Sequence, residues 1–304
     1  MYKNNPHVTD ALTSRFRPHP AIALLLFLLM LVVSEILAWP FTDIFNTFSD
    51  NWRHPMLITL KFTTTELIFP FLSIAVIVAL WVNRIEKRPI SSLGFPNKWQ
   101  LRTYLKGFGL GLGLMTLYFI IALLFNVYTI ETIAFNGNNL FVWTSILIIL
   151  PGWMVQSASE EILTRGWLFQ VTSRKHVLTG IILSSTIFSL LHIANNGLTA
   201  LSVGNLTLYG LFAIFYTLKT ENLWAVCGFH CSWNWAQGNI FGISVSGNPI
   251  IGGSLLEPGH AVGSDLLTGG AFGAEGSIVV SIILCFSILT VLGRPLYNHF
   301  LHLK

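Results

Sequence analysis

The chain has 304 residues, of which 53% are hydrophobic and only 10% are charged, and its mean hydropathy is +0.66. This composition excludes a soluble protein, because a soluble domain does not tolerate so much apolar surface, and it predicts a polytopic membrane protein. The sequence pI of about 9.0 does not indicate a nucleic-acid partner, since the basic residues gather in particular loops, as orientation in a membrane requires.

Apolar runs near the length that crosses a bilayer, about 20 residues, predict eight transmembrane spans. The runs occupy residues 20–39, 60–82, 104–126, 140–169, 177–193, 198–218, 222–237 and 276–293. The first run has no convincing small-residue cleavage site after it, so we interpret it as an uncleaved span rather than a signal peptide. The whole chain, residues 1–304, is expected to form a single membrane domain.

The distribution of Lys and Arg predicts the orientation of these spans. With eight spans, one side of the membrane receives most of the basic residues, whereas the other side receives only Arg53 and Lys61. Because cytoplasmic loops carry the excess of positive charge, we expect a multi-pass protein of the cell membrane with both termini in the cytoplasm.

Three features outside the main motif have structural interpretations. The glycine run from Gly107 to Gly113 lies inside a span and predicts close helix packing rather than a nucleotide-binding loop. Glu66, a lone acid within a span, is expected to be a buried hydrogen-bonding residue, although a role in lining a path stays open. The Gly- and Ser-rich segment 238–276, which carries Glu275, is expected to form a long external loop.

Two adjacent carboxylates, Glu160 and Glu161, stand near the end of the fourth apolar run. Carboxylates inside a membrane span are costly, so they persist where they face a protein interior or a water-filled cavity, and they usually mark function. Residues four apart lie above one another on a helix, so Glu161 is expected to pair with Arg165, while Glu160 points about 100° away and stays free. The alternative is that these three charges form a solvated helix end near the membrane surface.

Polar side chains on three spans form a candidate hydrolytic site. The set comprises Glu160 on the fourth span, the i, i+4 pair Phe188 and His192 on the fifth, and the i, i+4 pair His230 and Asn234 on the seventh. A carboxylate and an imidazole around one water can carry out general-base hydrolysis, and a second imidazole with a carboxamide can stabilise an oxyanion. For each histidine alone, the alternative is an interhelical hydrogen bond.

The expected heights of these groups in the membrane are similar. At about 1.5 Å per residue, Glu160 and His192 lie roughly 20–25 Å from the same cytoplasmic loop. His230 follows Lys219 by 11 residues and is therefore shallower, at roughly 16 Å. The three groups are expected to share one cavity that opens toward the cytoplasm.

Three short motifs carry a resemblance to a known family. They are Glu160-Glu161-x-x-x-Arg165, Phe188-x-x-x-His192 and His230-x-x-x-Asn234. In this order and with these separations, the region of about residues 140–240 resembles the catalytic core of the CPBP family of intramembrane proteases, which includes type II CAAX prenyl endopeptidases and bacterial proteins linked to bacteriocin immunity. The resemblance implies an all-α fold of about eight transmembrane helices around a polar intramembrane cavity, and hydrolysis of peptide bonds near a membrane.

The resemblance also implies a role for each matched residue. Glu160 would activate water and His192 would assist it, while His230 and Asn234 would stabilise the oxyanion. Structural support would come from Glu161, Arg165 and Phe188.

No metal or other cofactor is expected, and zinc bound by Glu160, His192 and His230 is the alternative. The sequence contains no His-Glu-x-x-His motif, and a catalytic zinc needs three well-placed ligands with an open position. The expected partners are a peptide or protein substrate at the membrane and the lipid bilayer itself. Outside hydrolysis, two alternatives stay open: a transporter or proton relay and a non-catalytic membrane scaffold.

Overall fold

The computed structural model describes residues 5–96, 100–133, 140–174, 176–259 and 264–301. Its regular structure is almost entirely helical, with helices at the eight predicted spans, which confirms the all-α polytopic fold. Helices satisfy their own backbone hydrogen bonds, which is why apolar runs of this length are helical in lipid. The two chain ends, whose side of the membrane is predicted from charge, lie outside the described residues.

The described elements have the following bounds. The α-helices are α1 (Pro6–Thr9), α2 (Pro20–Phe48), α3 (Pro55–Phe62), α4 (Phe69–Arg84), α5 (Leu101–Leu124), α6 (Leu140–Glu161), α7 (Phe169–Thr172), α8 (Val177–Leu190), α9 (Ala200–Thr220), α10 (Trp224–Trp235), α11 (Asp265–Thr268) and α12 (Ile278–Leu301). Wider π-helical turns occupy Thr63–Ile68, Ile162–Leu168 and Ala236–Ile240. The two short strands are β1 (Thr129–Ile133) and β2 (Leu256–Gly259).

Among the described residues, five helical stretches are long and apolar enough to cross a membrane. They are Pro20–Phe48, Pro55–Arg84, Leu101–Leu124, Leu140–Thr172 and Ala200–Thr220, and two shorter apolar helices cover Val177–Leu190 and Ile278–Gly293. The remaining predicted span is α10, in which ten of the 12 residues are buried. Because α10 is enclosed by protein, it can carry polar side chains that a lipid-facing helix could not.

The central helix α10 packs against α5 and α6, while α9 packs against α8 and α12. The buried side chains Phe229 and Trp233 of α10 join Tyr118 of α5 and Phe212 of α9 in one hydrophobic cluster. A second cluster packs α2 and α4 against Trp167 in the π-helical turn that follows α6. The two clusters hold in place the helices that carry the candidate site residues.

Glycines allow α5 and α10 to approach closely. A Cβ atom added at Gly107 would collide with the carbonyl oxygen of Ala225, and one added at Gly111 would collide with that of Phe229. At Gly109, by contrast, no neighbouring atom lies within 4 Å of the Cβ position. One face of the glycine run therefore serves helix packing, as the sequence predicts.

The segment between α10 and α12 differs from the expected external loop, because it folds back onto the helices. Strand β2 pairs antiparallel with β1, with Thr129 opposite Gly259, Phe272 is fully buried, and Glu275 is only 7% exposed. The composition of the segment indicated irregular structure, but its packing depends on contacts distant in the sequence.

The N-terminal segment packs against the turn that follows the paired acids. His7 in α1 is buried, donates its Nε2–H to the carbonyl oxygen of Arg165 (2.9 Å) and accepts at Nδ1 from the Gln170 amide (3.3 Å). Burial lowers the pKa of His7 to about 4, so the ring is neutral, as one donor and one acceptor nitrogen require. Asn5 donates to the carbonyl oxygen of Leu218 (2.8 Å). These bonds tie the segment to α9 and to the turn after α6.

We expect Gly107→Ala to destabilise the protein by about 1–3 kcal/mol, because the added methyl group overpacks α5 against α10. Gly109→Ala is the matched control and should be neutral or stabilising, since alanine is a better helix former than glycine by roughly 0.5–1 kcal/mol. Chemical unfolding of both variants in the same detergent measures the difference. Equal free energies of unfolding would contradict the close packing of the two helices.

Candidate active site

A cavity of about 570 Å³ lies within the helical bundle. Its walls come from α2, the turn Thr63–Ile68, α4, α6, the end of α8, α9, α10, α12 and the loop after α10. Five predicted site residues line it: Glu160, Phe188, His192, His230 and Asn234. The structure therefore brings the three motifs together around one space.

The described lining of the cavity does not include the basic loops toward which the sequence predicted an opening. None of its described lining residues falls in 84–106, 173–176 or 219–222, which hold most of the basic residues. It reaches instead Ser246 and Ile250, in the loop expected to be external. The loop after α10 folds inward and contributes to the wall, and the opening toward the cytoplasm stays a prediction.

Glu161 is fully buried and holds three helical elements together. Its Oε1 accepts from Arg165 Nη1 (3.1 Å), from His230 Nδ1 (2.8 Å) and from the Tyr209 hydroxyl (3.3 Å). The side chains of Glu161 and Arg165 are both 0% exposed, which excludes a solvated helix end. The expected i, i+4 pair is present, and two further donors join it.

Arg165 also lies against aromatic rings. Its guanidinium carbon is 4.3 Å from the ring centroid of Phe188 and 5.6 Å from that of Tyr209, and these two rings stack with centroids 5.2 Å apart. A cation over ring faces gains electrostatic stabilisation when it is desolvated. The ring of Phe188 thus packs against the buried charge of Arg165. The sequence predicted structural support for this residue.

Glu160 turns into the cavity, with 12% of its side chain exposed. Its Oε1 accepts from the Gln156 amide (2.8 Å), and the Gln156 carbonyl oxygen accepts from Asn234 Nδ2 (3.1 Å). Its Oε2 accepts no hydrogen bond from the described residues and lies 3.8 Å from His230 Nε2. Glu160 is therefore held through one oxygen, while the other is buried and accepts no hydrogen bond from the described residues.

His192 follows the end of α8 rather than lying within the helix. The helix ends at Leu190, because His192 N–H donates to the carbonyl oxygen of Ser189 (3.1 Å) in a tighter turn. Its Nδ1–H donates to the carbonyl oxygen of Phe188 (2.9 Å), which leaves Nε2 as an acceptor. The span predicted over 177–193 is thus shorter, although the pair with Phe188 is kept.

His230 is not shallower than the other site residues, contrary to the height estimate. That estimate assumed a helix running from Lys219, but the backbone N–H of Leu223 donates to the carbonyl oxygen of Gly94 (2.8 Å) and Leu223 is fully buried. Between Lys219 and His230 the chain is thus not one continuous helix, since α9 ends at Thr220 and α10 begins at Trp224. His230 Nε2 lies 3.8 Å from Glu160 Oε2, so the two side chains are at the same level.

Sequence reasoning missed Gln156, Tyr209 and Glu275. Gln156 precedes Glu160 by four residues, so the i, i+4 rule could have found it. Tyr209 belongs to no motif and lies 48 positions from Glu161, to which it bonds. No sequence signal pointed to it.

Glu275, in the turn before α12, lines the cavity. Its Oε2 accepts from the Ser246 backbone N–H (2.6 Å), the Ser246 hydroxyl (3.0 Å) and the Gln237 amide (3.2 Å). Its charge interacts with His192, and burial raises its pKa above the usual range. The cavity therefore has a second buried carboxyl group opposite the predicted motifs.

Glu66 also lines the cavity, but it is exposed. The expectation of a buried hydrogen-bonding residue is therefore wrong, and the alternative of lining a path matches its position. Its carboxylate accepts from the Thr65 hydroxyl (3.3 Å). Glu66 lies in a π-helical turn, and such turns change the direction of side chains relative to a regular helix.

A catalytic metal would need several ligands that converge on one point. Among the described residues, no group of three or more His, Cys, Asp or Glu side chains is placed to hold a metal ion. His230 has only Nε2 left as a ligand, because Nδ1 bonds Glu161. The site does not offer the three converging ligands that catalytic zinc needs.

We expect Glu161→Gln to lower the free energy of unfolding by roughly 3–5 kcal/mol, because it leaves Arg165 as a buried, unpaired charge. Glu160→Gln is the matched control, since it changes the adjacent, less buried acid in the same way. Thermal melting of both variants in detergent compares them. If they were equally stable, the assignment of Glu161 to structural support would be wrong.

Comparison with known proteins gives one match. Residues 141–236 match the family model described as Type II CAAX prenyl endopeptidase Rce1-like, and this range includes all three motifs. No curated protein and no solved structure matches the chain. The match confirms the resemblance seen in the motifs: residues 141–236 of this membrane protein are similar to the Rce1-like type II CAAX prenyl endopeptidases.

Proposed function

We propose that the chain is an intramembrane endopeptidase that hydrolyses peptide bonds of membrane-associated or lipidated peptides. The family match supports a protease in general terms. The observation that carries the proposal is the geometry of Glu160, whose Oε1 is held by Gln156 while Oε2 accepts no hydrogen bond from the described residues. A carboxylate that is held through one oxygen and has no hydrogen bond at the other is suited to take a proton as a general base.

Glu160 activates the attacking water. Its Oε2 takes a proton from the water, whose oxygen then bonds to the carbonyl carbon of the scissile peptide. His192 assists by accepting a hydrogen bond from the second O–H of the water at Nε2, and this proton stays on the water oxygen. Nε2 is free for this bond because Nδ1–H donates to the Phe188 carbonyl oxygen. Holding the water between two groups contributes through orientation as well as through proton transfer.

His230 and Asn234 stabilise the oxyanion that forms as the carbonyl electron pair moves to oxygen. The bond from Nδ1–H to Glu161 fixes the ring of His230. In this role the ring is an imidazolium, which carries a proton on both nitrogens, so Nε2–H also donates into the cavity. Asn234 uses one amide N–H on Gln156 and retains a second for the oxyanion. Donors fixed before the reaction stabilise developing charge at little reorganisation cost.

The intermediate collapses when the carbon–nitrogen bond breaks. The leaving nitrogen takes the proton that Glu160 received from water, so the products are a carboxylic acid and an amine, between which one proton then passes in water, and the base is regenerated. No oxidant, reductant or further reactant is needed. Water and the peptide account for every atom.

We also propose that both termini face the cytoplasm of a cell membrane. The support is the concentration of Lys and Arg on one side of the spans, which is typical of cytoplasmic loops. The whole chain, residues 1–304, would then form one membrane domain.

The proposal is tested by comparing the peptides of cell membranes that contain the wild-type chain or Glu160→Ala. We expect some peptides to accumulate in membranes with Glu160→Ala. Shorter fragments of the same peptides should be present in membranes with the wild-type chain. Glu257→Ala, which changes an exposed acid in β2, controls for the loss of charge. Identical profiles for all three proteins would favour a non-catalytic scaffold.

Metal-free catalysis is part of the proposal, and it is supported by the absence of a three-ligand cluster among the described residues. We expect purified protein to retain turnover after treatment with a zinc chelator. We also expect Asn234→Ala to lower turnover by about 10²–10³, with little effect on substrate binding, because it removes one donor to the oxyanion. Asn46→Ala, an amide change in α2 away from the cavity, is the control. Stoichiometric zinc that is required for turnover and lost on mutation of His192 or His230 would overturn metal-free catalysis.

A further inference from the structure

The loop after α10 is the part of the cavity wall that can pair with the backbone of a peptide. A backbone N–H or C=O group that leaves water without finding a new partner is costly. The helices in the wall pair their own backbone groups within themselves, so they offer a peptide mainly side chains. Backbone partners therefore come from the loop, which lines the cavity with residues between Val245 and Ile251.

The first half of this stretch uses its own backbone groups in a closed turn. The N–H of Val245 donates to the C=O of Asn248 (3.2 Å), and the N–H of Asn248 donates back to Val245 (2.9 Å). Between them, the N–H of Ser246 donates to Glu275 (2.6 Å) and its C=O accepts from Asn195 (2.7 Å). The turn is thus fixed to two other parts of the cavity wall.

The residues after the turn leave backbone groups unused. The N–H and the C=O of Ile250 form no hydrogen bond with any residue that the structure describes, and Pro249 before it has no N–H. The C=O of Ile251, by contrast, accepts from Asn239 Nδ2 (3.0 Å). Ile250 lines the cavity and lies in no helix, strand or turn. It therefore presents one donor and one acceptor that the described protein does not use.

Asn239 holds this stretch at a fixed place beside α6. While its Nδ2 donates to Ile251, its Oδ1 accepts from Trp153 Nε1 of α6 (2.8 Å). Trp153 and Glu160 both line the cavity and are seven residues apart, which is roughly 10 Å along a helix. An extended peptide covers that distance in about three residues. A peptide paired with Ile250 therefore reaches Glu160.

We propose that Ile250 binds the backbone of the substrate peptide in an extended conformation, donating its N–H to a peptide C=O and accepting a peptide N–H at its own C=O. Two such bonds join each hydrogen-bonded pair of antiparallel strands, and peptides are often recognised in this way. The inference rests on the proposed function, from which it takes the peptide. Because the turn and Asn239 already hold the stretch in place, little ordering of the protein opposes binding.

The test measures binding of a peptide whose N–H groups are removed one at a time. The Glu160→Gln protein in nanodiscs is titrated with a fluorescent, end-blocked octapeptide of Ala, Val, Leu and Phe in a non-repeating order. Eight further copies each carry one N-methyl group, which removes one N–H donor. We expect N-methylation at one residue to weaken binding by about fivefold, as the loss of one hydrogen bond provides. Its two neighbours should be much less sensitive, because successive residues of an extended peptide face opposite sides.

Variants at Ile250 locate the effect. Adding Ile250→Pro removes the N–H donor without breaking a hydrogen bond among the described residues. We expect it to weaken binding of the unmodified octapeptide by about fivefold and to abolish most of the position-specific loss, since paired bonds are coupled. Adding Ile250→Val is the matched control: it keeps the N–H and should keep the position-specific loss. Thermal melting establishes that each variant is folded.

The outcomes separate this inference from the proposed function, because binding is measured without cleavage. The inference would be overturned if the unmodified octapeptide did not bind, if all eight N-methyl groups had the same effect, or if the position-specific loss persisted in folded Ile250→Pro. A position-specific loss that disappears in Ile250→Pro and remains in Ile250→Val would support it. If the wild type then cleaved neither the octapeptide nor any membrane peptide, the peptide-binding residue would stand and the protease would be contradicted.

Discussion

One buried carboxylate oxygen, Oε1 of Glu161, joins the parts of the protein on which the candidate site depends. It accepts hydrogen bonds from Arg165 in the π-helical turn after α6, from Tyr209 of α9 and from His230 of α10. Removing a carboxylate and a guanidinium from water costs several kcal/mol for each ion unless the geometry of the pair and its further hydrogen bonds compensate. The helices must therefore assemble with all these groups in place. The same assembly sets the orientation of His230.

Two adjacent acids can have different roles because the helix points them in different directions. Glu161 faces the protein, where its charge is compensated, and Glu160 faces the cavity, where Gln156 holds one oxygen and the other accepts no hydrogen bond from the described residues. The difference between the two acids therefore lies in their partners: Glu161 accepts from a cation, an imidazole and a hydroxyl, whereas Glu160 accepts from one neutral amide.

Much of the fold and part of the site follow from the sequence, because they depend on local spacing. Apolar runs predicted the spans, and the i, i+4 rule predicted the pair of Glu161 with Arg165. The contacts between residues far apart in the chain could not be predicted from the sequence. The bond from Tyr209 to Glu161 and the burial of Glu275 depend on how helices and a returning loop pack, for which local patterns hold no information. The estimated height of His230 was wrong because the chain from Lys219 to His230 is not one continuous helix.

The central claim is that Glu161 supports the fold through Arg165 and the site through His230. The most direct test is the double variant Glu161→Leu/Arg165→Met, measured for both free energy of unfolding and peptide turnover. We predict that it is more stable than Glu161→Leu alone, by roughly 2 kcal/mol or more, since no buried cation is left unpaired. Its turnover should remain as low as that of the single variant, because His230 has still lost its acceptor. Recovery of wild-type turnover together with stability would contradict the account.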